Sequence, residues 1–286
     1  MKNLFTKITC PECGKEYDPA EAECPHCHAP NPSSDRGSGW EQVTVTGLAG
    51  EIALFLVGSI GLTIVAYLLS YILQSIAKGA FAAEGLSGEG LHNALLAYVT
   101  TASYSAYLNL GAYLILFIVL LIVLGRNIYK IMAKFRQKRT YLGFLIGIGM
   151  MMITSFLSLL LSSKSNANQT TVESVEAYAP GASLLIIGLI GPFCEELTYR
   201  VGLYTFLKRI NWVFALIVTS LVFTFIHFDF KAVSSINEWR NVPVYFTMAL
   251  ILTFTYEKMG FGASFLAHAT NNFLGILITI IVNNIQ

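Results

Sequence analysis

The sequence predicts an all-α polytopic membrane protein with a small N-terminal zinc ribbon. Three observations carry this fold class. First, 55% of the 286 residues are hydrophobic and only 12% are charged. A soluble domain carries about 25% charged residues, so this chain could not cover a water-facing surface. Second, the apolar residues come in runs close to ~20, the length that crosses a ~30 Å hydrocarbon core. The shorter alternating segments of a membrane β-barrel are absent. Third, four of the five cysteines stand in two CxxC pairs near the start of the chain. The formal net charge of +1 says little about partners, and no nucleic-acid partner is expected.

Residues 1–30 form the predicted ribbon. The spacing is Cys10-x2-Cys13, then Cys24-x2-Cys27. Two such knuckles can close a tetrahedral thiolate site around one Zn²⁺. Pro11, Gly14 and Pro25 suit tight turns around the metal. A segment this short has no core, so metal binding would supply its folding energy, on the order of 10 kcal/mol. Two disulfides or redox thiols are the alternatives, and His26 and His28 are spare ligands. The expected role is structural zinc, with a cytosolic docking partner in view.

Residues 31–48 read as a linker, with the polar "NPSSDRGSG" followed by Trp40 at the approach to the membrane interface. No secretory signal is expected from "MKNLFTKITCPEC", which lacks an apolar stretch, and "NNIQ" is no prenylation box.

The transmembrane domain is predicted over 49–286. It holds about seven apolar segments, at 50–76, 104–125, 141–162, 182–206, 212–228, 241–256 and 261–283. The semi-apolar 91–103 would extend the second helix or lie at the interface. "RNIYKIMAKFRQKR" (126–139) carries six cations, and Lys208, Arg209 and Lys258 fall on the same side. The opposite loops hold Lys78, Lys164, Lys231 and Arg240. The positive-inside rule therefore puts the basic side, and the ribbon with it, in the cytosol. Thiols stay reduced there, which favours zinc over disulfides. The basic stretch is expected to be a plain positive-inside loop, with anionic lipid headgroups as its alternative partner.

"GPFCEELTYR" (191–200) places two glutamates and an arginine inside one apolar helix. A charge at the centre of a spanning helix costs roughly 2.5–3.5 kcal/mol, so each needs a partner or a purpose. Glu196 and Arg200 are four apart and stack as an ion pair. Glu195 lies about 100° round an α-helix from Glu196. It cannot share the arginine and is left available for chemistry. Downstream, Phe223-x3-His227 and His268-x3-Asn272 each put two side chains on one helix face. Counted from the basic end, Glu195 lies ~20 Å deep, His227 ~24 Å, and His268 and Asn272 ~12 and ~18 Å. One shared site near the middle of the membrane follows.

A carboxylate can take a proton from water that a histidine orients, while a second histidine and an asparagine donate to an oxyanion. That chemistry suits peptide hydrolysis. The alternative is a catalytic divalent metal held by the glutamate and two histidines. HExxH, GxSG and GxGD motifs are absent, and Cys194 has no activating cation beside it in sequence.

These residues resemble the CPBP family of CAAX protease and bacteriocin-processing-like proteins, also called Abi. The family marks are EExxxR, FxxxH and HxxxN on separate helices. Here they stand as Glu195-Glu196-x3-Arg200, Phe223-x3-His227 and His268-x3-Asn272, in order, within 140–286. The resemblance implies an intramembrane endopeptidase, glutamate- or metal-dependent, acting on a membrane-associated peptide or protein. It implies that Glu195 and His227 activate water, that His268 and Asn272 hold the oxyanion, and that Glu196, Arg200 and Phe223 support them. A bacterial plasma membrane is expected on the same ground. Two other classes remain. One is a non-catalytic immunity factor, receptor or scaffold on the same fold. The other is a transporter with a midplane proton relay, though internal repeats are missing.

Overall fold

The computed structural model describes residues 7–18, 21, 23–29, 31, 45–160 and 166–285. Most of the expected linker, including Trp40, and Lys164 lie outside the described residues.

The ribbon is a two-stranded antiparallel hairpin, β1 (Ile8–Thr9) and β2 (Glu16–Tyr17), with Ile8 opposite Tyr17. Each CxxC knuckle closes on itself: Gly14 N–H donates to the Cys10 carbonyl, and His28 N–H to that of Cys24. The residue after each knuckle turns left-handed, Gly14 at φ 70° and His28 at φ 59°. Glycine accepts that conformation without strain.

Seven long helices follow at the seven predicted segments, with shorter ones between them. They are α1 (Leu48–Ala83), α2 (Gly88–Tyr98), α3 (Ala102–Leu124), α4 (Ile128–Lys134), α5 (Lys138–Leu160), α6 (Ala167–Tyr178), α7 (Pro180–Lys208), α8 (Trp212–Phe225), α9 (Ile236–Met259) and α10 (Phe261–Ile285). Only five helices among the described residues are long and apolar enough to cross a membrane: α1, α3 running on into α4, α5, α7 and α10. The count of seven spans is therefore not met by length and composition. Helix α8 has 14 residues, or ~21 Å, against a ~30 Å core. Helix α9 is long enough at 24 residues but carries Glu238, Arg240, Glu257 and Lys258 near its ends. The stretch 91–103 is mostly helix α2, separate from α3.

The apolar side chains turn outward as well as inward. Along α1, Ile64, Tyr67, Leu68, Tyr71, Ile72 and Ile76 are all exposed, a surface only lipid would cover. Helix α7 is the opposite case and forms the centre of the bundle, with Leu197, Val201 and Tyr204 fully buried.

One end of the bundle carries the ribbon. Arg209, just past α7, donates to both oxygens of Glu51 on α1 at 2.8 and 2.9 Å and to Asp18 of the ribbon at 2.8 Å. Lys130 on α4 lies 3.4 Å from Glu21. The long helices alternate in direction from there. Helix α6 lies across the opposite end, where Asn166 donates to the His227 carbonyl and Ala167 N–H to Glu238.

Candidate active site

Helix α7 is not a plain α-helix. Residues 186–190 and 196–204 are wound as π-helix, a widening that often accompanies functional sites. The expected ~100° offset between Glu195 and Glu196 presumed α-helical winding, yet the division of labour it suggested is present. Glu196 faces the bundle with no exposure. Its Oε1 lies 3.1 Å from Arg200 Nη1 and 2.9 Å from His268 Nδ1. The Ser264 hydroxyl donates to Oε2. Arg200 is equally buried, and its guanidinium lies over the Phe223 ring, 4.4 Å from the centroid. A buried charge must be paired, and this cluster pairs Glu196 with Arg200 and hydrogen-bonds the carboxylate from α10, while the guanidinium nitrogens make no hydrogen bond among the described residues.

Glu195 faces a cavity of about 380 Å³ instead. Tyr113 of α3 donates to its Oε1 at 2.8 Å. His268 Nε2 lies 3.6 Å from its Oε2. The same imidazole thus bridges the two neighbouring carboxylates. His227, His268, Asn272 and Phe223 line this cavity together with Glu195. All four candidate catalytic residues are therefore brought around one space, while Glu196 and Arg200 stand behind it.

His227 is not on the helix. Helix α8 ends at Phe225, and His227 sits in the following turn. The pair still touches, with ring centroids of Phe223 and His227 4.8 Å apart. His227 Nδ1 is 2.7 Å from the Phe223 carbonyl oxygen. A carbonyl only accepts, so Nδ1 carries the proton and Nε2 is left as an acceptor. On the other side Tyr245 stacks on the imidazole at 4.8 Å. Asn272 is held less tightly, its Nδ2 being 3.5 Å from the Ile187 carbonyl.

Among the lining residues that escaped the sequence reading are Tyr113, Tyr245 and Glu176. Tyr113 and Tyr245 sit in apolar runs like many packing tyrosines, and no spacing marks them. Glu176 is on α6, where the sequence reading placed no helix. It is 4% exposed, and its Oε2 has no hydrogen-bond partner. Burial pushes its carboxyl above the usual carboxylate range, with Glu173 adding to the shift and Thr279 opposing it.

A second groove of about 740 Å³ runs between α1, α3 and α8. It meets the cavity at Asn109, Tyr113, Asn168 and His227.

The ribbon sulfurs fit a metal. All four Sγ atoms lie within 4.8 Å of one another, with Cys10–Cys27 at 3.5 Å and Cys13–Cys24 at 3.6 Å. Sulfurs about 2.3 Å from a tetrahedral ion are separated by roughly that much, and a disulfide would need ~2.05 Å. All four cysteines are free, as is the buried Cys194. Neither His26 nor His28 belongs to the cluster. Among the described residues these thiols are the one converging group of three or more His, Cys, Asp or Glu ligands. Glu195, His227 and His268 do not converge on a point in this way.

The fold and the site define an integral membrane protein with a helical bundle and an N-terminal four-cysteine module. Residues 178–274 match the family model of type II CAAX prenyl endopeptidase Rce1-like proteins. All three motifs lie inside that segment, and the CAAX protease resemblance read from them is thus found independently. The chain is also similar to the UPF0177 protein YvdC of Lactococcus lactis subsp. lactis (strain IL1403), at 25% identity over 144 residues. That alignment covers 48% of this chain and 52% of the relative, so the chain spans about half the length of the curated relative it matches. No solved structure matches.

Proposed function

We propose that the protein is an intramembrane endopeptidase that hydrolyses a membrane-associated peptide or protein with water activated by Glu195 and His227. The observation that carries this reading is the shared cavity, in which Glu195, His227, His268 and Asn272 face one another within a lipid-embedded bundle. The Rce1-like segment supports proteolysis in the membrane in general. The groove between α1, α3 and α8 supports a substrate that arrives from the lipid.

Water binds between Glu195 and the free Nε2 of His227. Its proton passes to the Glu195 carboxylate as its oxygen attacks the peptide carbonyl carbon. The charge that develops on the carbonyl oxygen is met by Asn272 Nδ2–H and by a His268 Nε2–H, the Nδ1 of that ring being held by Glu196. Glu195 then returns the proton to the departing amine. Glu196, Arg200 and Phe223 hold His268 and His227 in place. A divalent metal at Glu195 and the histidines would supply a bound hydroxide, but its ligand atoms do not converge here, and no step needs it.

The ribbon is proposed to hold one structural zinc through Cys10, Cys13, Cys24 and Cys27, on the cytosolic side of a bacterial plasma membrane. Metal analysis of the purified protein should give one zinc per chain, absent in Cys10→Ser/Cys13→Ser.

The test of the activity is cleavage of quenched fluorescent peptides by the purified full-length protein. Glu195→Gln and His227→Ala should each lower turnover at least about 100-fold, the usual contribution of a general base. The ribbon variant should stay active. Equal turnover in Glu195→Gln, or none with any peptide, would return the protein to the non-catalytic scaffold class.

A further inference from the structure

Glu176 stands apart from the catalytic cluster. It is on α6, buried to 4% exposure, and lines the cavity with an oxygen that bonds to nothing. A buried carboxylate without a partner is costly. No Lys or Arg lines the cavity among the described residues, whereas it holds two carboxylates, Glu176 and Glu195. Glu195 already has a donor in Tyr113. Among the described residues no cation reaches Glu176, so a ligand that enters the cavity can supply the donor its free oxygen lacks.

The position gives a distance. Thr279 lines the cavity near Glu176, and His268 lies beside Glu195. Both are on α10, eleven residues apart, or ~16 Å along the helix. An extended peptide rises ~3.3 Å per residue, so that gap spans about five residues. Asn109, Asn168, Gln169 and Asn271 also line the cavity, and a carboxamide oxygen can accept from a backbone N–H; the Nδ2 of Asn109 and of Asn168 already donates to the Ser105 carbonyl and the Tyr245 hydroxyl.

From this we infer that Glu176 is the floor of a specificity subsite for a primary ammonium or guanidinium group of the substrate, about five residues from the scissile bond. This rests on the reading of the cavity as a peptide site. The cation is a basic side chain or the amino terminus of the peptide. Helix α6 lies across the end of the bundle opposite the ribbon, so the basic group approaches from the membrane face that does not carry the ribbon.

The experiment uses full-length Glu195→Gln protein in nanodiscs, which binds without turning over. Fluorescent peptides with one lysine scanned along an otherwise neutral sequence are titrated by anisotropy, each beside its Nε-acetyllysine counterpart. One set has free amino termini and one has acetylated termini. At one register, lysine should bind about tenfold tighter than acetyllysine, the scale of one desolvated charge pair. Adding Glu176→Gln should remove that preference. A preference seen only with free termini assigns the subsite to an amino terminus and supports the same inference. Equal binding of lysine and acetyllysine at every register, a preference that survives Glu176→Gln, or no peptide binding overturns it. Binding of the acetyllysine peptide by the Glu176→Gln protein at its former affinity shows that the variant is folded, and the loss of preference counts only beside it. Wild-type turnover without charge preference would sink the subsite and leave the protease. Charge-dependent binding without turnover would do the reverse.

Discussion

At Glu195 a single phenol decides much of the local chemistry. The Tyr113 hydroxyl donates to the carboxylate at 2.8 Å, and hydrogen bonds to charged groups are worth about 1.5–3 kcal/mol. Tyr113→Phe should lower turnover by about tenfold while leaving the thermal midpoint close to wild type; unchanged kinetics would remove Tyr113 from the site. Glu176 invites a different measurement. Its carboxyl titrates above the ordinary value of 4.5 because burial disfavours the anion. It thus holds its proton more tightly folded than unfolded. The stability gained from this is present below 4.5 and is lost as pH rises through the folded value. The melting temperature of Glu176→Gln minus that of wild type, read without peptide in detergent, should therefore grow as pH rises from 4.5 upward. A difference that shrinks would mean the carboxylate has a partner after all.

Helix α7 owes its place at the centre to small residues. A Cβ on Gly202 would come within 2.8 Å of Phe55 N and 3.1 Å of the Glu51 carbonyl oxygen, both backbone atoms of α1. A Cβ on Gly58 would meet the Thr198 side chain. Close backbone approach of this kind is how helices associate in lipid. Because backbone cannot step aside, Gly202→Val should cost about 1–3 kcal/mol, read as a lower melting temperature in detergent. Gly79 has open space around it, and Gly79→Val should cost far less. Equal effects at the two positions would show that the α1–α7 contact is not tight.

Taken as a whole, the molecule places its two chemical centres at separate depths. The four-cysteine cluster and the Asp18–Arg209–Glu51 bridge sit at one end, and the cavity reaches α6 at the other. Arg209 follows directly on the helix that carries Glu195, so the ribbon is fastened to the foot of that helix. A chelator that strips the metal we propose for the four cysteines should unfold the ribbon and free Arg209 from Asp18. Hydrogen exchange should then rise over residues 7–29 and at the start of α1, while α10 stays protected. Unchanged exchange over the ribbon would show that its fold does not depend on metal.

Much of this was legible in the chain itself. Apolar runs mark helices because each run must satisfy its own backbone in lipid, and CxxC pairs mark a metal knuckle because the ligand spacing is local. The HxxxN motif was readable for a similar reason, since residues four apart on an α-helix share a face, whereas EExxxR and FxxxH, which fall on a π-helix and a turn, were readable as the marks of a family. The helix ends were less so. Helix α8 stops before His227 because the turn there hands its Nδ1–H to the Phe223 carbonyl, which no periodicity encodes. Tyr113 and Glu195 are 82 residues apart in sequence, and Glu176 gains its meaning only from helices packed around it. The class of protein, the order of its helices and the residues that carry charge into the membrane follow from sequence, because solvation by lipid acts on each segment separately. Which carboxylate is braced, which faces the cavity and which waits unpaired was decided by tertiary packing, because partners for a buried charge come from other helices.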